Sequence, residues 1–75
     1  MKKLRYSVVL DWDEEEKLFV ASVPALSIST YGESRDDALE KAREAIVVTI
    51  EGLRAIGQPV PEGDSGKVEA VEVTV

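Results

Sequence analysis

The chain contains no cysteine and no histidine. The first absence removes disulfides, thiolate nucleophiles and cysteine-ligated zinc sites. The second removes the commonest general base and the commonest metal ligand. Asparagine is missing as well, and Gln58 is the one glutamine. So few thermolabile residues beside 32% charged ones fit a thermophilic source. Aromatics make up 5% of the chain and interleave with no basic patch, which argues against a stacking platform for single-stranded nucleic acid. Positive charge is scarce: 9 basic residues against 15 acidic ones leave a net charge of −6. Direct nucleic-acid binding is disfavoured, because it requires neutralising phosphates. No apolar run approaches the roughly 18 residues of a membrane span. Met1–Arg5 resembles the start of a signal peptide, but Arg5, Ser7 and Asp11 interrupt the apolar stretch that a signal peptide needs next. A cytoplasmic location with no membrane association is expected.

What remains is enough for one small domain. Seventy-five residues with 44% hydrophobic content predict a single domain over 1–75. Leu4, Tyr6, Val8, Leu10 and Trp12 alternate with Lys3, Arg5, Ser7, Val9 and Asp11, the period-two pattern of a half-buried strand. Asp13–Glu16 is a run of acids that favours a solvated turn, and Lys17–Val23 resumes as the second arm of an antiparallel hairpin. Pro24 ends that strand, a short third strand comes next over Ser27–Tyr31, and Gly32 is expected to permit the turn beyond it.

Ser34 reads as a helix N-cap, with Asp37 three residues on as a short version of the capping-box glutamate. Ala38, Leu39, Ala42, Ala45, Ile46, Thr49, Ile50 and Leu53 then recur at three-four spacing, and Val47 and Val48 widen that stripe. Gly57, with Pro59 and Pro61 behind it, stops the helix. Glu62–Gly66 reads as a flexible loop and Val68–Val75 as a final strand. The predicted fold is α+β, with the order β-β-β-α-β and an antiparallel sheet covered on one face by a single long helix. The second sheet face, with Val9, Leu18 and Val20, is left without cover, and a homo-oligomer, dimer or tetramer, is expected to supply it.

Candidate chemistry is thin. The acids Asp11, Asp13, Glu14, Glu15 and Glu16 fail as an EF-hand loop, because the sixth position is Glu16 rather than glycine. They read as a solvated turn, as a surface for a basic partner or, least of all, as a metal site. Trp12 and Tyr6 are expected in the core beneath the helix, although Trp12 at its strand end could instead anchor an interface. Ser34 has no activating base near it and is a cap rather than a nucleophile. No catalytic residue, cofactor or metal is expected. The chain is expected not to be an enzyme.

Several segments together resemble the N-terminal domain of the HicB antitoxin family. They are Tyr6–Leu10 before an acidic hairpin, Phe19–Leu26 with its Val-Pro turn, Thr30–Ser34 leading into Asp37–Leu39, Ala42–Ile46, and Gln58–Pro61 at the helix exit. The similarity covers residues 4–62. It implies a degenerate relative of the ribonuclease H architecture without its catalytic set. It also implies a non-catalytic module that neutralises a small basic HicA-type toxin, an mRNA-cleaving protein, within a type II toxin–antitoxin pair. An acidic antitoxin against a basic toxin agrees with the charge count. Two features depart from the family: Ala25–Ser29 has neither the glycine nor the cysteine usual there, and no helix-turn-helix or ribbon-helix-helix segment is present. The expected contact residues are Asp11, Trp12, Asp13, Glu14, Glu15 and Glu16 on the hairpin, with Glu40, Glu44 and Glu51 on the helix. Two rivals stand beside this reading: an orphan oligomeric scaffold without a toxin, and a residual metal-dependent nuclease built on Asp11 and Asp13.

Overall fold

Alternation sets the two faces of the sheet. In the computed structural model, which describes residues 3–63 and 69–74, β1 is Lys3–Asp13, β2 Leu18–Val23, β3 Ile28–Gly32, α1 Arg35–Ala55 and β4 Glu69–Thr74. The strands form one sheet in the order β3-β2-β1-β4, with every neighbouring pair antiparallel. The fold is therefore α+β with β-β-β-α-β order. The long β1 serves two partners, since Lys3–Val8 pair with β4 and Val9–Asp13 pair with β2. The final strand thus pairs within its own chain. Val68 and Val75 of that expected strand, and residues 64–66 of the expected loop, lie outside the described residues.

The core forms where one strand face meets the helical stripe. Leu4, Tyr6 and Val8, Ala21 and Val23, and Val71 and Val73 are buried against Ala38, Ala42, Ile46 and Ile50. The two alanines let the helix close on the sheet, while Ile46 and Ile50 supply the bulk. Each of those isoleucines, fully buried, contributes about 1.5–3 kcal/mol relative to exposure. Val47 packs against this core, but Val48 is 66% exposed, so the apolar stripe is one residue narrower than its sequence suggests.

Helix ends are closed by local chemistry. The Ser34 hydroxyl accepts the Asp37 amide at 3.0 Å, and the Asp37 carboxylate accepts the Glu33 amide at 3.0 Å. The carboxylate therefore reaches one residue further back than in a capping box, where it would meet the cap residue's own amide. At the other end Gly57 takes φ 72°, Gln58 N–H donates to the Leu53 carbonyl and Gly57 N–H to that of Arg54. This is a Schellman closure.

Gly32 has a different role from the one its sequence position suggests. It is not in the left-handed region. Instead the start of α1 lies directly on it, so that a Cβ would stand 2.3 Å from the Ala38 nitrogen. Between β2 and β3 the chain makes a single 3-10 turn, Pro24–Leu26, and leaves it through Ser27 at φ 55°. Strand β3 starts one residue later than predicted.

The opposite sheet face has no element packed on it among the described residues. Along β1 it presents Lys3, Arg5, Ser7, Val9, Asp11 and Asp13. Beside them the register places Glu72, Ser22, Val20 and Leu18, and beyond β2 come Ser29 and Tyr31. Val9 is 46% and Tyr31 47% exposed.

Candidate partner-binding site

The acidic run folds into a tight loop because one of its own carboxylates organises it. Asp13 Oδ1 accepts the amides of Glu15 at 3.0 Å and Glu16 at 3.1 Å, satisfying two donors that the turn would otherwise leave to water. Lys17 N–H donates to the Asp13 carbonyl at 2.8 Å, and Lys17 itself takes φ 57° to rejoin the strand. Asp13 is thus partly committed to the turn. Asp11, Glu14, Glu15 and Glu16 stay exposed.

Trp12 is not in the core. It is 48% exposed, contrary to the expectation from alternation. Its residue row runs Gly32–Phe19–Trp12 across the sheet, and α1 covers that row at the β3 end, where Ala38 sits on Gly32. At the far end the indole packs edge-on against Phe19, with ring centroids 5.0 Å apart. Its Nε1–H donates to Glu14 Oε2 at 2.6 Å, and Glu14 Oε1 accepts from Lys17 Nζ at 2.9 Å. The Lys17 ammonium, then the Trp12 donor, hold the Glu14 carboxyl below its ordinary value of 4.5. Asp11, Trp12, Asp13, Glu14, Glu15 and Val20 line an open hollow of about 520 Å³. An anionic rim around an indole and a valine suits the aliphatic stem and cationic head of a lysine or arginine.

Glu40, Glu44 and Glu51 are exposed on α1, where Glu40 pairs with Arg43 at 3.6 Å. They do not join the hairpin acids in one site. Asp11 and Asp13 project from the open sheet face, whereas α1 lies across the other face and turns these glutamates away from the sheet. The expected contact set is therefore two acidic surfaces on opposite sides of the molecule. Among the described residues, no three carboxylates converge as a metal-binding group, and no helix is long and apolar enough to cross a membrane.

One contact invisible to pattern reading fixes the path out of the helix. Tyr6, expected only as core, donates its hydroxyl to the Pro61 carbonyl at 2.7 Å. Two residues on, Gly63 lies so close to β1 that a Cβ would stand 2.0 Å from the Arg5 carbonyl oxygen. The only sequence signal for the tyrosine contact was the hydroxyl itself, because a buried phenol needs a partner.

Neither the protein-family models nor the curated proteins searched give a match to this chain.

Proposed function

We propose that this chain is a non-catalytic, cytoplasmic protein-binding module of HicB-like, degenerate ribonuclease H-like type. It acts as the antitoxin of a type II toxin–antitoxin pair by binding a small basic HicA-type toxin that cleaves mRNA. The observation that carries this reading is the hairpin tip, where exposed carboxylates surround the half-exposed Trp12 on a loop held by Asp13. A preorganised anionic surface with an aromatic anchor binds a cationic protein with little ordering cost. The residue inventory supports a binding role over catalysis, with neither histidine nor cysteine present.

An affinity capture of the full chain from its native host tests this directly. The expected result is near-stoichiometric recovery of one small basic protein, released by high salt and lost when Glu14, Glu15 and Glu16 are replaced together by their amides. Recovery of the bait alone across several growth conditions would overturn the antitoxin reading. The second reading, an orphan oligomeric scaffold, is favoured by the sheet face bearing Val9 and Tyr31, on which no described element packs. Self-association, as a dimer or a tetramer, belongs to both readings.

A further inference from the structure

The open sheet face carries charge in an order that is complementary to itself when reversed. Along β1 it runs from the basic pair Lys3 and Arg5, through Ser7 and Val9, to the acidic pair Asp11 and Asp13. The pattern is symmetric about Val8, whose own side chain points the other way into the core. We propose that two copies of the chain pack open face to open face with their β1 strands antiparallel. Arg5 of each then meets Asp11 of the partner subunit, and Lys3 meets Asp13 of the partner subunit. This rests on the self-association proposed above and goes beyond it by fixing the face and the register.

Four observations converge on this occupant. Among the described residues no element covers the face, which is partly apolar, with Val9 46% exposed at the centre of the pattern and Tyr31 47% exposed at its flank. The central positions Ser7 and Ser22 are small, so two sheets can approach to the roughly 10 Å of a packed pair. Within one chain Arg5 and Asp11 lie about 20 Å apart at some 3.3 Å per strand residue, so they cannot satisfy each other. Each copy carries a net charge of −6, so most approaches are repulsive. A parallel arrangement would place Asp11 on Asp11 and Arg5 on Arg5. The antiparallel one turns the same residues into four attractive pairs, which selects orientation more than it adds affinity. Glu72 stands opposite Arg5 on the ladder, a cross-strand position from which opposite charges attract. That guanidinium would lie between its own Glu72 and the incoming Asp11.

Sedimentation equilibrium of the full chain tests the geometry through charge reversal. The wild type should be a dimer that weakens with salt. Asp11→Arg alone and Arg5→Asp alone should each raise the dissociation constant at least about tenfold, since each puts like charges together twice. Mixed in equal amounts, the two variants should form a heterodimer, because both of its contacts between positions 5 and 11 then join an arginine to an aspartate. The double variant R5D/D11R should regain the homodimer. A wild type that stays monomeric at high concentration would overturn self-association altogether. Single variants that remain dimers, or a double variant that fails to regain the homodimer, would overturn this face and register while leaving self-association intact. Circular dichroism checks that each variant folds. If Arg5→Asp does not, Arg5→Gln with Asp11→Asn replaces it, and an unchanged salt dependence in that pair overturns the proposal.

Discussion

Tyr6 in β1 and Pro61 beyond the helix, 55 positions apart in sequence, are joined by a 2.7 Å hydrogen bond from phenol to carbonyl. The bond ties the loop that leaves α1 to the strand at the centre of the sheet. It also resolves the polar end of the largest fully buried side chain. Gly63 sits against Arg5 just beyond it, so the returning chain is held at two neighbouring points before it reaches β4.

Replacing Tyr6 by Phe keeps the ring and removes the donor to Pro61. A hydrogen bond of this kind contributes about 0.5–1.5 kcal/mol net. Urea unfolding should show a loss in that range with an unchanged m-value. A variant as stable as the wild type would mean that water replaces the phenol at no cost.

Gly32→Ala should be far more damaging than an ordinary glycine substitution in a strand. The added carbon would meet main-chain atoms of Asp37 and Ala38, which cannot swing aside as a side-chain tip can. The helix start must shift off β3, stretching the 3.1 Å bond from the Thr30 hydroxyl to the Ala38 carbonyl. A loss of about 2–3 kcal/mol is expected, in the range for overpacking a tight site. Thermal unfolding gives the value, and a change below about 0.5 kcal/mol would show that the contact is soft.

Acid should weaken the helix start through Asp37. The Glu33 amide, then the Lys41 ammonium 3.3 Å away, hold the Asp37 carboxyl below its ordinary value of 3.8 in the folded chain. The unfolded chain therefore takes up that proton first as pH falls. The stability contributed is complete above the ordinary value and disappears as pH drops through the lower folded one. Asp37→Asn should flatten the acid limb of stability against pH relative to wild type. Because the carboxyl is exposed, the difference should shrink at high salt. Parallel acid limbs in the two proteins would rule out this role.

Much of the architecture was legible because periodicity reports which side of an element faces the core. Leu4, Tyr6 and Val8, and Ala38, Ala42, Ile46 and Ile50, are buried where alternation and three-four spacing put them. Periodicity does not report how far a covering element extends, and that is why Trp12 is exposed despite standing on the core side of its strand. Nor does it distinguish a glycine needed for its torsion angles from one needed for its missing carbon, as at Gly32. The candidate site was legible as a run of acids. That Asp13 is partly consumed in holding the turn, and that Glu40, Glu44 and Glu51 face away from the hairpin acids, depends on the third dimension.

The Arg43 guanidinium, reaching from α1 to the main-chain carbonyl of Glu72, guards one margin of the sheet. A strand arriving beside β4 would have to displace a charged group already engaged there, whereas β3 at the other margin has no charged residue between Ile28 and Gly32. Margins of such unequal character limit how copies can accumulate. Two chains joined through β3 would each turn a guarded β4 outward, so the ribbon would end after one addition. Head-to-tail growth, the route by which an acidic β-rich chain becomes a fibre, would need β3 of one copy to meet β4 of the next. A charged side chain held at that margin disfavours growth through β4, and Arg43→Ala is expected to lower solubility before it lowers stability.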